Sequence, residues 1–337
     1  MTCKIAAFSH RGVLLAKKLQ KELGLSDAEL SFFNREDKSG NELHPWVKES
    51  FENCDRLIFI GAVQIAVRLI SKELKSKLTD PAVVVIDDNG KYCIPILSGH
   101  VGSANEFAGE LASILGAEAV ITTSTDINNK FAIDVFARKN ELVIKNPHRI
   151  KDVSSKLLRG ENIKIYSCLP IEGKLPEGVF WGNEEEADAV ITPFKTENET
   201  ALLLIPKLFT LGVGCKKDTD EKHMSASLEE FLSSAGIYKE AILNMATIDL
   251  KKEEKAVLAL SEKLKIPVSF YTSDQLAGAM GKFTPSQFVK AVTGVDNVCE
   301  RSAALLSKGS IKIAKTAFKG ITFALAQNEK LLNIGEK

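Results

Sequence analysis

Two short, uninterrupted apolar runs with a helical stripe between them constrain the fold of this chain most strongly. Arg56–Ile60 and Ala82–Ile86 have the length and composition of buried strands, and Ala62–Lys77 carries apolar residues at helical spacing. A strand, a helix and a second strand in this order form a crossover unit with parallel strands. The turn Asp87-Asp88-Asn89-Gly90 then predicts a hairpin, so Tyr92–Leu97 should run antiparallel to the second strand.

Strands alternate with helices over most of the chain, which predicts the α/β class. We expect two three-layer α/β domains with mostly parallel sheets, joined by a small middle α+β region. Residues 1–135 form the first domain, with its Gly-His-x-x-x-Ala-Asn loop. Residues 136–206, where prolines punctuate short strands, form a small middle domain or linker. Residues 207–330 form the C-terminal α/β domain, which begins at Phe209–Cys215 with a strand that enters a glycine turn.

Composition excludes several classes of function. Lysine plus arginine equals aspartate plus glutamate, so nothing resembles the basic footprint of a nucleic-acid-binding protein. The six cysteines are scattered without a Cys-x-x-Cys pair, which predicts neither a metal site nor a disulfide framework. No apolar run approaches the roughly 20 residues of a membrane helix. We therefore expect a cytoplasmic protein that binds neither nucleic acid nor membrane.

A glycine-flanked loop, Ser98–Asn105, follows one predicted strand and precedes a helix. Gly99 and Gly102 would allow a sharp turn and the close approach of a ligand. The start of the next helix offers N–H groups and a positive dipole end, which favour a carboxylate or a phosphate. His100, between the glycines, has the side chain that exchanges a proton near neutral pH.

Three loops should share the edge of the sheet where ligands gather. They are Gly61–Gln64, Ser98–Asn105 and Thr122–Asp126, of which the last ends a strand in hydroxyls and a carboxylate. Thr123 and Asp126 could hydrogen-bond a ligand there. An arginine facing this cluster, Arg68, would bind a carboxylate bidentately.

A second glycine-containing loop, Gly212–Thr219, offers backbone donors and the ammonium groups of Lys216 and Lys217. It suits a carboxylated ligand, and Gly214 would let that ligand approach the backbone. It has neither the spacing of a P-loop nor a third glycine. Gly212 and Gly214 could instead simply make a tight turn.

The other features have structural alternatives as well. Ser103 or Asn105 would cap the helix, leaving His100 as a turn residue, and Asp126 would cap the helix after it. Arg68 would extend from an apolar face to the surface. Glu300, which begins a helix, gains from the helix dipole whatever its function.

Several motifs in register resemble the CbiG family of cobalamin biosynthesis proteins. They are Gly61-Ala62-Val63-x-Ile65-Ala66-Val67-Arg68, Leu97–Glu106, Ile121–Asp126, Leu211–Cys215, Ala246–Asp249 and Gly294–Leu306. The resemblance covers nearly the whole chain, least distinctively in the middle. Ser103 departs from it, because the family commonly has a second glycine there, and Ser124 replaces a usual alanine.

This resemblance implies a cobalt-precorrin-5A hydrolase of anaerobic cobalamin biosynthesis. Such an enzyme opens the ring-A δ-lactone of a tetrapyrrole substrate and releases acetaldehyde to give cobalt-precorrin-5B. His100 would be the general base or acid, with the amides of Gly99–Ser103 holding negative charge. The expected substrate-binding residues are Gly61, Arg68, Gly99, Gly102, Asn105, Thr123, Asp126, Gly214, Lys216, Lys217 and Glu300.

The resemblance further implies that the cobalt arrives with the substrate, so that no metal site and no cofactor are expected. It is compatible with a homodimer or with transient contact with other corrin-pathway enzymes. A carrier that holds a tetrapyrrole intermediate without transforming it would explain the glycine loops equally well. A phosphosugar- or nucleotide-binding α/β protein is a third alternative. Acetaldehyde release separates the hydrolase from the carrier, and preference for a corrinoid separates both from the third.

Overall fold

A computed structural model describes residues 2–33, 42–76, 79–99, 103–127 and 130–335 of the chain, with the backbone alone at Ala28, Thr125 and Asp126. The chain divides into two compact units, residues 1–135 and residues 136–337. Within its described part the chain forms one six-stranded, two five-stranded and one two-stranded sheet, with helices packed on the larger sheets. The α/β class is confirmed, whereas the predicted boundaries near residues 206 and 330 stay predictions.

The first unit contains six strands and five helices in its described part, and a sixth helix spans its boundary. In chain order they are β1 (Cys3–Ala7), α1 (His10–Leu23), β2 (Leu30–Phe32), α2 (Leu43–Asn53), β3 (Arg56–Ile60), α3 (Val63–Ile70), β4 (Ala82–Ile86), β5 (Tyr92–Leu97), α4 (Ala104–Leu115), β6 (Glu118–Ala119), α5 (Ser124–Ile127) and α6 (Ile133–Lys139).

These strands form one sheet in the order β2-β1-β3-β4-β5-β6. Alternate residues of a strand face opposite sides of its sheet. Ile58 and Ile60 accordingly pack in one core with α1 and α4, while Leu57 and Phe59 pack in another with α2 and α3. Helices on both faces of the sheet give the predicted three-layer arrangement.

The direction of β5 matters for the position of the candidate site. β1 to β4 run parallel, whereas β5 pairs antiparallel with β4, with Val83 opposite Leu97 and Ile86 opposite Cys93. This is the predicted hairpin, and Asp87 stabilises its turn by accepting the backbone N–H groups of Lys91 and Tyr92. β6 runs parallel to β5. The carboxyl ends of β5 and β6 therefore lie at the edge where β3 and β4 begin.

The second unit holds a middle sheet and a C-terminal sheet. Its elements are β7 (Leu142–Ile144), α7 (Ile150–Leu158), β8 (Ile163–Ser167), β9 (Ile171–Glu172), β10 (Val179–Trp181), β11 (Ala189–Ile191), β12 (Leu202–Pro206), β13 (Phe209–Cys215), α8 (Glu221–Ser234), β14 (Ile242–Ile248), α9 (Lys255–Leu264), β15 (Val268–Tyr271), α10 (Ser273–Ala277), α11 (Gln287–Thr293), α12 (Cys299–Ser307), β16 (Ile311–Phe318), β17 (Ile321–Gln327) and β18 (Leu332–Asn333).

The middle sheet has the order β10-β8-β11-β12-β7, in which only the pairing of β12 with β7 is antiparallel. The C-terminal sheet has the order β15-β14-β13-β17-β16, with β13, β14 and β15 parallel. The two sheets share a core, because Ile205 at the end of β12 packs with Phe209 and Leu211 of β13. β9 and β18 pair with each other and join the two parts of the unit a second time.

Candidate functional site

The sheet topology brings two of the three predicted loops together and separates the third. The loop after β5 and the segment after β6 lie at the same edge, as expected. The loop after β3 lies at the opposite edge, where the Gly61 N–H donates to the carbonyl of Ile86 at 2.8 Å. The expectation of one shared edge was wrong for Gly61–Gln64, because the hairpin reverses β5 relative to β3.

Gly61 is a glycine for a steric reason that the structure shows. A Cβ atom there would lie 2.9 Å from the ring of Phe8, closer than real Cβ contacts. Phe8 in turn stacks on Phe59 with 6.3 Å between ring centroids. Glycine at this position therefore leaves room for the stacked rings of Phe8 and Phe59. The predicted contact of Gly61 with a ligand stays a prediction.

The loop after β5 is fixed at both ends by hydrogen bonds. Ser98 has a left-handed backbone (φ 56°), and its hydroxyl donates to the Asp80 carbonyl at 2.9 Å. The N–H groups of Ala104 and Asn105, in the first turn of α4, donate to the carbonyls of Ser98 and Gly99, each at 3.1 Å. Two of the helix-start amides that we expected to meet an anion are thus used within the loop.

Asn105 connects this loop to the segment after β6. Its side-chain Nδ2 donates to Thr123 Oγ1 at 2.9 Å. A Cβ atom at Gly99 would lie 2.9 Å from Asn105 Oδ1, so a larger residue at that position would displace the amide. Gly99, Asn105 and Thr123 therefore interlock, and predicted site residues from two separate segments meet at one place.

The structural alternative for this loop is not supported at Ser103. This residue is buried, has a left-handed backbone (φ 61°), and directly precedes α4, but its hydroxyl caps no amide of the described helix. His100 and Gly102 lie outside the described residues, as does the side chain of Asp126. Their predicted roles stay predictions.

Arg68 lies in the last turn of α3 and is exposed. Among the described residues it forms no ion pair. Ile96 and Leu97, at the end of β5, pack in the same core as Leu69 and Ile70, at the end of α3. The end of α3 therefore lies near the end of β5. An exposed guanidinium on this helix end can bind a carboxylate, which keeps the prediction for Arg68 open.

In the C-terminal sheet, Gly212 and Gly214 lie within β13 and not in a turn. They pair with Ala324 and Thr322 of β17. A Cβ at Gly212 would lie 1.8 Å from the carbonyl oxygen of Cys299 at the start of α12, and one at Gly214 would lie 2.5 Å from Thr322 Oγ1. The tight turn expected at these glycines is therefore wrong, because both lie in a strand, whereas the predicted contact of Gly214 with a ligand stays a prediction. The glycines admit α12 and the β17 side chain.

Lys216 and Lys217 follow β13 in an exposed turn. The N–H of Lys216 donates to the Gly320 carbonyl at 3.0 Å, and Thr219 Oγ1 donates to the Lys216 carbonyl at 2.8 Å. Glu254 Oε1 accepts the Thr219 N–H at 3.0 Å, which ties the turn to the segment after β14. Both ammonium groups are therefore presented to solvent on a fixed turn.

A buried ion pair that the sequence did not indicate supports this turn. Lys251 and Glu254 pair at 3.0 Å, with side chains 13% and 7% exposed. Although burial raises the pKa of Glu254, the Lys251 ammonium and the Thr219 amide outweigh it and keep the pKa below its usual value. The neighbouring Cys215 has a raised pKa, chiefly through burial, so its thiol stays protonated at neutral pH and is a poor nucleophile.

Glu300 lies in the first turn of α12 and is 1% exposed. Its carboxylate accepts the Thr284 N–H at 2.6 Å and hydroxyl at 2.9 Å, the Asn297 amide at 2.6 Å and the Lys315 N–H at 2.6 Å. Glu300 thus joins three separate segments of the C-terminal part. Its predicted substrate contact stays a prediction, and the role that the structure gives it is internal.

Among the described residues, no group of three histidine, cysteine, aspartate or glutamate side chains is placed to hold a metal ion. In the same part of the chain, no helix has the length and apolar character needed to span a membrane.

Comparison with known proteins shows the relationships of the chain. It matches three family profiles: Cobalamin synthesis G N-terminal over residues 45–126, Cobalamin biosynthesis central region over 131–206 and Cobalamin synthesis G C-terminus over 209–326. A cobalt-precorrin-5A hydrolase of Salmonella typhimurium is 30% identical over 293 residues, which cover 82% of this chain and 83% of that protein. One from Priestia megaterium is 28% identical and covers 96% and 94%. The crystal structure of a putative cobalamin biosynthesis protein G homolog from Sulfolobus solfataricus is 24% identical, covers 97% of each chain and has a TM-score of 0.39.

Proposed function

The chain belongs to the CbiG family of cobalamin-synthesis proteins, and from that membership we propose that it is a cobalt-precorrin-5A hydrolase. The substrate is a cobalt-containing tetrapyrrole, and the products are cobalt-precorrin-5B and acetaldehyde. In this proposal the cobalt ion is part of the substrate, and the chain needs no cofactor of its own. The observation that carries the assignment of the site is the interlock of Gly99, Asn105 and Thr123 around the loop that contains His100.

The reaction consumes one water molecule. Water adds to the carbonyl carbon of the ring-A δ-lactone, the acyl–oxygen bond breaks, and a carboxylic acid and a hydroxyl on the former meso carbon remain. The hydroxyl then loses its proton as the C=O bond of acetaldehyde forms. The bond from that carbon to the macrocycle breaks, its electron pair passes to the macrocycle, and the macrocycle takes up a proton. Both stages need a group that accepts or donates a proton.

We assign that group to His100, which follows Gly99 directly. Negative charge develops on the lactone oxygen when water adds, and backbone N–H groups aimed at it would stabilise it. The Gly99 amide is suited to this task. Because a trans peptide directs its N–H opposite to its C=O, and the Ser98 carbonyl is bonded to α4, the Gly99 N–H is directed away from the helix. Asn105 and Thr123 hold the loop in that arrangement.

The carboxylates on the rim of the substrate require cations. Lys216 and Lys217 are exposed on a fixed turn, and Arg68 is exposed on the helix end beside β5. We assign these three residues to the acetate and propionate side chains of the macrocycle. The proposed set of substrate-binding residues is completed by Gly61, Gly102, Asp126, Gly214 and Glu300. Gly214 and Glu300 would act through the backbone that they position.

The test is an anaerobic incubation of the purified protein with cobalt-precorrin-5A, in which acetaldehyde is measured and the corrinoid product is weighed by mass spectrometry. We expect stoichiometric acetaldehyde and a product that has gained water and lost the two-carbon fragment. His100→Ala should lower turnover about 10²–10⁴-fold, the usual contribution of a general acid or base. His44→Ala, which removes an exposed histidine of α2 in the same unit, is the matched control and should leave turnover unchanged.

Other results would contradict the proposal in different ways. Tight binding of cobalt-precorrin-5A without acetaldehyde would identify a carrier. Full turnover by a folded His100→Ala variant would remove His100 from the chemistry while leaving the activity intact. If the protein neither binds the substrate nor releases acetaldehyde, the family's reaction does not extend to this chain.

A further inference from the structure

A pocket in the second unit is built from residues that the proposed reaction does not use. It has a volume of about 410 Å³ and lies between the end of α6 and the segment after β17. Three lysines line it against two glutamates, and Leu243 and Leu331 supply apolar surface. A volume of this size suits a small organic ligand and exceeds the needs of a single inorganic ion.

The walls of the pocket are fixed by side-chain amides. Asn140 Nδ2 donates to the carbonyl of Asn333 at 2.9 Å, and Asn140 Oδ1 accepts the Asn333 N–H at 2.7 Å. On the other side, Asn328 Nδ2 donates to the carbonyl of Leu208 at 2.9 Å and to Thr210 Oγ1 at 3.1 Å. Because both amides bond to the protein, the lysines are the groups with charge to offer a ligand.

Lys330 is the most enclosed of these lysines. Its side chain is 15% exposed, and the one described carboxylate within 4 Å is that of Glu141, at 3.8 Å. Glu141 itself is 81% exposed, so solvent weakens its attraction. Lys207 lines the same pocket, and among the described residues it forms no ion pair. Burial lowers the pKa of Lys330, Lys207 lowers it further, and Glu141 opposes both effects.

The three lysines of the pocket outnumber its two glutamates, so the lining carries an excess of positive charge. A carboxylate or phosphate between the lysines would compensate for that excess and would form charge-assisted hydrogen bonds. Glu141 offsets part of this charge, but it is largely exposed and lies 3.8 Å from Lys330. The apolar surface of Leu243 and Leu331 would contact the carbon part of an organic anion.

We infer that this pocket is a binding site for an organic anion that carries at least two carboxylate or phosphate groups, held between Lys207 and Lys330. Such groups occur on free organic acids and phosphates and also on the rim of a tetrapyrrole. The second source rests on the proposed function, whereas binding of a free anion does not.

The first experiment is calorimetric titration of the full chain with citrate, and with acetate at matched ionic strength as the single-carboxylate comparison. We expect citrate to bind measurably more tightly than acetate. Lys207→Gln and Lys330→Gln should each weaken citrate binding about tenfold or more, as expected for the loss of one charge-assisted hydrogen bond. Lys263→Gln is the matched control, because Lys263 is an exposed lysine of α9 outside the pocket.

A second measurement does not depend on a variant. Titration of the Lys330 side-chain nitrogen by NMR should show a higher pKa with citrate than without it, since a bound anion favours the charged ammonium. The inference is overturned if citrate does not bind, if it binds Lys207→Gln and Lys330→Gln as tightly as the wild type, or if the Lys330 titration does not move.

Turnover assays then distinguish the two sources of the anion. If citrate raises the KM for cobalt-precorrin-5A and Lys207→Gln raises it as well, the pocket takes carboxylates of the substrate. If citrate binds and KM is unchanged, the pocket takes a free anion. Because the calorimetric titration needs no turnover, failure of the anion site and failure of the proposed hydrolase activity are separate results.

Discussion

The side-chain amide of Asn105 donates a 2.9 Å hydrogen bond to the hydroxyl of Thr123 and so joins the loop after β5 to the segment after β6. These residues come from two connections that the sheet brings to one edge. The bond matters for function because the loop it holds contains His100.

We expect Asn105→Ala to raise the activation free energy of turnover by substantially more than it lowers the free energy of unfolding. The loss of one partly buried hydrogen bond costs about 1 kcal/mol, but a misplaced catalytic loop costs much more in rate. Thr123→Val removes the acceptor with little change in shape and should act in the same direction. The measurement is a double-mutant cycle in kcat and in the free energy of unfolding. Strictly additive effects on kcat would contradict the proposed coupling.

Gly99→Ala should disturb the same loop from the other side. Its new Cβ would lie 2.9 Å from Asn105 Oδ1, so the amide must move away from Thr123. We expect a loss of turnover of at least tenfold with a modest fall in melting temperature. Gly109→Ala is the matched control. Gly109 lies on α4, the helix that contains Asn105, and a Cβ atom there would meet nothing within 4 Å.

The control has its own expected result. Replacing a helical glycine with alanine stabilises by about 0.5–1 kcal/mol. Gly109→Ala should therefore raise the melting temperature slightly and leave turnover unchanged. Equal activity of the Gly99→Ala and Gly109→Ala proteins would show that the loop tolerates the displaced amide.

Glu300→Gln tests whether this residue acts on the substrate or within the protein. Each carboxylate oxygen of Glu300 accepts two hydrogen bonds. An amide would place its NH₂ group against two donors, so we expect a loss of about 2–4 kcal/mol in the free energy of unfolding, measured by urea denaturation. Thr284→Val, which removes one of the four donors, should cost about 1 kcal/mol. An unchanged melting temperature with a large rise in KM would instead indicate direct contact with the substrate.

Glu254 gives a pH-dependent prediction. Its pKa in the folded protein lies below the usual value, so the unfolded chain binds the proton first as pH falls. The stabilisation is therefore complete above the unfolded pKa of about 4.3 and disappears as pH falls through the lower folded value. Glu254→Gln should cost about 2 kcal/mol at pH 7 and progressively less as pH falls below about 4.3, measured by chemical denaturation.

The control for that series is the neighbouring Glu253→Gln, because Glu253 is exposed. It should change the stability little at either pH. A Glu254→Gln difference of the same size at pH 3 and pH 7 would mean that ionisation of Glu254 does not stabilise the fold.

The sequence predicted strands best where apolar runs were continuous. Arg56–Ile60, Ala82–Ile86 and Tyr92–Leu97 have the predicted bounds. Helix ends were less well predicted: the helix expected over residues 62–77 ends at Ile70. The composition of a strand that is buried on both faces reveals it in the sequence. A helix end is harder to predict because local polar contacts compete with the helix, such as the hydrogen bonds that the Asp80 carboxylate accepts from the Lys75 and Ser76 N–H groups after α3.

The candidate site was predicted in part. Gly99, Asn105 and Thr123 lie together, as expected for segments that follow β5 and β6 at one edge of the sheet. Gly61 does not join them, because the hairpin makes β5 antiparallel to β4, so that β3 and β5 end at opposite edges. The roles of Gly212 and Glu300 depend on partners from distant segments: the Cys299 carbonyl for one, Thr284 and Lys315 for the other. Sequence spacing contains no signal for such contacts.

The reversed strand β5 also has a consequence for the order of folding. β4 and β5 are joined by a tight turn, and hairpins form within about 1–10 μs. β1 and β3 are separated in the chain by α1, β2 and α2, so their pairing must first close a long loop and is slower. The strand that carries the His100 loop thus belongs to the pairing with the smallest sequence separation in its sheet. The support for that loop is expected to form before the rest of the first unit has assembled around it.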